Sequence, residues 1–127
     1  MGTKMEMLFD GGKRKALTLS YDDGTIHDRR LVAMMNEYGI RGTFNLNSGM
    51  FSQKGTAVIN GYETDMSRIA AEEVKTLYAG HEVASHTLTH PSLTALPSNM
   101  GAAEVLKDRK NLEELTGELV RGFAYPY

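Results

Sequence analysis

The chain has 127 residues, 41% of them apolar and 24% charged, which is the composition of one folded globular domain and excludes a disordered or fibrous chain. Its 14 basic and 16 acidic side chains leave a net charge of −2, so nothing points to nucleic acid or an anionic membrane surface as a partner. No cysteine is present, which excludes disulfide scaffolds, thiolate metal sites and cysteine nucleophiles.

Residues 1–14 read as an N-terminal extension to a single domain over 15–127. Met1 to Asp10 lacks the basic-then-apolar pattern of a secretory leader. No apolar run approaches the ~20 residues of a membrane span. The expectation is a cytoplasmic chain, or a secreted or cell-envelope one if a leader has been removed. Ala16 to Tyr21 is a compact β-prone run ending in Asp22-Asp23-Gly24. A helix follows, with Leu31, Met34, Met35 and Tyr38 at i, i+3, i+4 and i+7, and Gly39 as its stop. Gly42 to Asn47 is a second strand, and 49–66 reads as loop. Ala70 to Ala79 makes a second helix, closed by Gly80. Glu82 to Ser85 is a third strand, running into His86-Thr87-Leu88-Thr89-His90. Ser98 is the expected N-cap of a third helix, with Ala102, Val105, Leu112 and Leu115 on its buried side and Gly117 as terminator. On that helix Lys107-Asp108-Arg109-Lys110 reads as a solvated face. Val120 to Tyr125 is a fourth strand.

The order is β-α-β-α-β-α-β, which implies right-handed crossovers and a parallel sheet covered by helices. An open doubly wound sheet and a (β/α) barrel both fit. In either, function collects at the carboxyl ends of the strands. Four polar clusters obey that rule: Asp22-Asp23, Asn45 with Asn47, His86 with His90, and Pro126-Tyr127.

The i, i+4 spacing of His86 and His90 puts both rings on one face of a helical turn, where imidazoles can share an ion. Adjacent carboxylates at a strand end point to opposite sides, so Asp22 and Asp23 can serve different tasks at one rim. Two histidines and one carboxylate make a three-ligand site with an open fourth position, the pattern of catalytic rather than structural zinc. Capping and turn chemistry is the bland alternative for each cluster taken alone.

Ser20-Tyr21-Asp22-Asp23-Gly24 resembles the first motif of the polysaccharide deacetylases (carbohydrate esterase family 4), usually Thr-Phe-Asp-Asp-Gly. His86-Thr87-Leu88-Thr89-His90 resembles their second motif, and Phe123-Ala124-Tyr125-Pro126-Tyr127 their third, usually Arg-x-Pro-Tyr/Phe-Gly. The resemblance covers roughly residues 15 to 127. It implies a distorted seven-stranded (β/α) barrel, of which this chain holds about the first four β/α units. It implies a divalent metal held by Asp23, His86 and His90, most readily zinc, with cobalt, nickel or iron also accepted. It implies that Asp22 is the general base and that the Tyr127 backbone N–H is an oxyanion donor. Tyr125 and Asn47 become candidate sugar contacts, with Tyr125 and Tyr127 available for stacking.

The implied activity is metal-dependent removal of acetyl groups from an acetylated carbohydrate of the N-acetylglucosamine type. Two alternatives accompany it: hydrolysis of a small non-sugar amide, and a truncated, non-catalytic metal-binding module.

The chain departs from the family pattern in two places. Ala124 stands where the third motif normally has arginine, so Asp22 is expected to be held from another segment; Arg121, the nearest candidate, falls on the opposite strand face. The later motif that supplies the general acid is missing. His27 is a weak candidate for that role, and His81 reads as structural. A half-barrel with open sheet edges is expected to self-associate.

Overall fold

The computed structural model describes residues 6–127, so the first five residues of the expected 1–14 extension lie outside the described residues. Three parallel strands form the central sheet in the order β1-β2-β5: β1 (Ser20–Asp22), β2 (Thr43–Leu46) and β5 (Glu82–Ser85). The register sets Tyr21 against Phe44 against Val83, and Asp22 against Asn45 against Ala84. Helices α1 (Asp28–Glu37) and α2 (Val74–Leu77) make the crossovers, and α3 (Ser98–Thr116) follows β5. The architecture is α/β with a parallel sheet. Among the described residues no helix is long and apolar enough to cross a membrane.

The core lies on the helix-covered face. Phe44 and Leu46 project from β2 and pack with Val32, Met35, Ile69, Val74, Tyr78, Leu112 and Val120. The Phe44 ring is flanked by Tyr21 at 5.7 Å and Tyr78 at 4.6 Å. Fully burying side chains of this size contributes roughly 1.5–3 kcal/mol each.

Several expectations are corrected. The first strand shortens from 16–21 to Ser20–Asp22, because its partner β2 begins only at Thr43 and Leu17 is 85% exposed. The buried stripe of α1 is Asp28, Val32 and Met35, while Met34 and Tyr38 are exposed. A charged residue takes the first core position because the Asp28 carboxylate accepts the Tyr78 hydroxyl at 2.6 Å. The second helix shrinks to one turn, α2, entered through a 3₁₀ turn at Ala71–Glu73.

The expected loop 49–66 contains an antiparallel hairpin, β3 (Thr56–Ile59) and β4 (Tyr62–Asp65). Asn60 and Gly61 at its tip have φ of 52° and 84°, as a two-residue type I′ turn requires. The fourth strand is reduced to a parallel bridge between Ser85 and Phe123. Two hydrogen bonds frame it, Ser85 N–H to Gly122 O and Ala124 N–H to Ser85 O. Only glycine fits at 122, where a Cβ would stand 2.7 Å from that of Ala84. Pro126 has no N–H with which to continue the ladder.

Candidate metal centre

The three strand ends deliver the polar residues to one rim, as the topology requires. Asp23 follows β1 directly, its N–H donating to Asn45 O at 2.9 Å. His86 follows β5, its N–H donating to Leu46 O at 2.9 Å. The chain then turns to bring back His90. This turn is not the helical one expected from the i, i+4 spacing. Thr87 and His90 both have left-handed backbone, φ 69° and 59°, and the Thr87 hydroxyl accepts the His90 N–H. The two rings meet edge to face with centroids 4.9 Å apart.

The structure brings together Asp23, His86 and His90, each offering a donor atom within 4.8 Å of the others. Asp23 Oδ1 lies 3.4 Å from His90 Nε2 and 3.9 Å from His86 Nε2. The fit to a cation rests on two features of the donors. The Asp23 Oδ1 is buried and accepts no hydrogen bond. The His86 Nδ1 donates to Ala124 O at 3.0 Å, which places the lone pair on Nε2, facing Asp23. This donor set suits zinc and its borderline neighbours. Arg68 also attends Asp23, with Nη1 3.0 Å from Oδ1 and donating to the Asp23 main-chain oxygen.

The histidine loop is clamped from two sides. On one side lies the segment 47–49. The Asn47 amide donates to His86 O and Thr87 O, and the Gly49 N–H to Leu88 O. On the other lies α3. Glu104 accepts the Thr89 N–H and hydroxyl at 2.8 and 2.9 Å, while its main-chain oxygen accepts the Leu88 N–H. One turn on, Asp108 is 0% exposed and accepts the Ser48 N–H at 2.6 Å, the Ser85 hydroxyl at 2.5 Å and the His86 N–H at 3.2 Å. Burial pushes the Asp108 carboxyl up, and these donors pull it back.

Asp108 was missed because its neighbours Lys107, Arg109 and Lys110 hide it in a charged run. The usable signal is that it stands four residues before Leu112, on the same helix face.

Asp22 is exposed. Its Oδ1 accepts the Asn45 amide at 2.7 Å, so a second segment does hold it, and Arg121 is exposed elsewhere. Asn47 is 2% exposed and spends its amide protons on the histidine loop, so the expected sugar contact gives way to a bracing position. Tyr127 reaches the rim, its ring 5.0 Å from that of His90 and its φ at 67°. Tyr125 is exposed and packs edge-on against Phe123. His27 bonds the Asp65 main-chain oxygen at 2.6 Å. His81 accepts the Gly42 N–H and bonds Asn36, at the opposite end of β5.

A sequence profile described as polysaccharide deacetylase matches residues 10–127. No curated protein sequence matches the chain. Solved structures share its fold. The Streptococcus pyogenes deacetylase PplD in complex with acetate superposes with a TM-score of 0.73 at 20% identity, over 89% of this chain and 46% of that one. IcaB from Ammonifex degensii gives 0.69 at 24%, over 87% and 49%. The peptidoglycan deacetylase PdaC from Bacillus subtilis gives 0.64 at 19%, over 87% and 48%. The chain spans about half the length of these proteins.

Proposed function

The chain belongs to the polysaccharide deacetylase family, and from that premise we propose that it is a divalent-metal-dependent hydrolase that removes acetyl groups from an acetylated carbohydrate of the N-acetylglucosamine type. The observation that carries the reading is the buried, hydrogen-bond-free Asp23 Oδ1 beside the Nε2 atoms of His86 and His90. An ion held there supplies Lewis acidity, activating water and polarising the acetyl carbonyl.

This chain's own residues carry the base, the oxyanion donor and the sugar contact; protonation of the leaving amine falls to a general acid outside that set. Asp22 is the general base. Its Oδ1 is fixed by Asn45, which leaves the other oxygen to take a proton from the attacking water. The backbone N–H of Tyr127 is assigned as donor to the negative charge that develops on the acetyl oxygen, a donation typically worth about 3 kcal/mol. Tyr125, exposed on the same segment, offers a ring face to the sugar. The sheet, with its fourth lane at Phe123, fits a segment of a (β/α) barrel.

Hydrolysis of a small non-sugar amide is the second reading, favoured by Ala124 in place of the third-motif arginine.

Acetate release from chitooligosaccharides in the presence of zinc is the test. Asp22→Asn is expected to abolish release while zinc stays bound, and His90→Ala to lose both. Zinc binding by the unmodified chain with no hydrolysis of any sugar or non-sugar amide would reduce the protein to a metal-binding module.

A further inference from the structure

Arg68 was not singled out by any sequence pattern, yet among the described residues it is the Lys or Arg side chain that pairs with Asp23. It is largely buried, 14% exposed, with Nη1 3.0 Å from the Asp23 oxygen that faces both histidines. That contact is not a hydrogen bond, since Asp23 Oδ1 accepts none. Arg68 instead donates to the Asp23 main-chain oxygen. The guanidinium therefore stands beside the carboxylate without consuming the lone pair that would meet a cation.

Its position is fixed by backbone on both sides. The segment 67–69 runs antiparallel to 24–26, with an isolated bridge between Thr25 and Arg68. Ile26 N–H donates to Ser67 O at 2.9 Å and Ile69 N–H to Gly24 O at 3.0 Å. The Arg68 N–H donates to Gln53 O at 2.8 Å. The backbone that carries the guanidinium is thus anchored on both sides, and the side chain is tied to the Asp23 main-chain oxygen.

We propose that Arg68 is a positioning residue that sets the affinity of the centre for its divalent ion: it holds Asp23 in place and cancels the only negative charge among the three donors. The inference rests on the metal-centre reading above. Two neutral imidazoles and one carboxylate carry a single negative charge, and the fixed guanidinium offsets it. An incoming ion thus meets a donor set that is neutral overall and a like charge a few ångströms away. Repulsion at that range in a partly buried site lowers affinity by roughly tenfold or more. The ion is held less tightly, and its charge is less quenched by the protein.

Zinc titration by calorimetry, with a competing chelator for tight binders, tests this without any activity measurement. Arg68→Gln keeps an N–H donor for the Asp23 carbonyl and removes the charge. It is expected to bind zinc about tenfold more tightly than the unmodified chain, and Arg68→Lys to return to weak binding. A merely structural role for Arg68 moves affinity the other way or leaves it unchanged, so equal or weaker binding by a folded Arg68→Gln overturns the proposal.

A measurement on the unmodified chain covers the case in which the variants do not fold. The Arg68 side-chain N–H resonance is expected to move on zinc addition, and a resonance that stays put while zinc binds overturns the proposal equally. Loss of zinc in His90→Ala with no gain in Arg68→Gln defeats this inference alone, whereas an unmodified chain that binds no zinc defeats the metal centre as well.

Discussion

The Nδ1 of His86 donates to the carbonyl oxygen of Ala124 at 3.0 Å. The third motif thereby fixes the tautomer of the second through main chain alone, whatever side chain stands at 124. The same residue's N–H donates to Ser85 O, so one peptide segment both extends the sheet and aims the ring.

An ion in this centre binds the folded chain only, because the donors come from separate segments. Zinc at about 100 times its dissociation constant is expected to raise the unfolding free energy by about 2.7 kcal/mol. Urea denaturation with and without zinc checks this. EDTA should reverse the gain, and His86→Ala should abolish it.

Asp108 is predicted to be the most sensitive residue of α3. Asp108→Ala strips the half-buried Ser48 N–H and the buried Ser85 hydroxyl of their acceptor, a loss on the order of 3 kcal/mol. His86 N–H keeps its bond to Leu46 O and suffers less. Asp108→Asn should cost less than the alanine variant in the same denaturation assay, and both should weaken zinc binding by loosening His86.

Gly49 offers a separate test of the clamp. A Cβ there would stand 2.6 Å from Leu88 O, the atom that its own N–H bonds. Gly49→Ala is expected to push the 47–49 segment off the histidine loop and destabilise the fold by about 1–3 kcal/mol. Chelator competition should show weaker zinc binding, with the Asp22–Asn45 contact undisturbed.

Acid sensitivity has a visible local source. The Arg29 guanidinium, followed by the Ala70 N–H, holds the Glu73 carboxyl at about 2, down from its usual 4.5. The pair's contribution is therefore complete above pH 4.5 and fades as pH falls toward 2. Arg29→Met should be less stable than the unmodified chain at pH 7, with the gap closing between pH 4.5 and 2. A constant gap across urea titrations at several pH values would contradict this assignment.

Side-chain type and spacing made His86, His90 and a neighbouring carboxylate legible as a three-donor set, and the resemblance to the polysaccharide deacetylases picked Asp23 rather than Asp22. The fold's α/β alternation was legible for the same kind of reason, with β2 and β5 carrying the apolar runs. What stayed hidden was work done by backbone and by buried charge. The hairpin 56–65 is exposed on nearly every residue and so shows no apolar alternation, although Asn60-Gly61 is a turn signal in plain view. Asp108 reads as surface, and Asp28 carries no signal of burial, because composition cannot foresee a Ser48 amide or a Tyr78 hydroxyl. Arg68 gave no signal at all, since its partner lies 45 residues away.

Asp23, Thr87, His90 and Tyr127, all on the rim, adopt left-handed backbone that side chains other than glycine resist. Selection for heat tolerance alone would drift toward glycine at Tyr127, where no metal donor is lost, whereas glycine at Thr87 would also delete the hydroxyl that accepts the His90 N–H. The rim would then relax, and sturdiness would be gained at the expense of aim. Attempts to harden this protein are best directed at the hairpin tip and the outer faces of its helices.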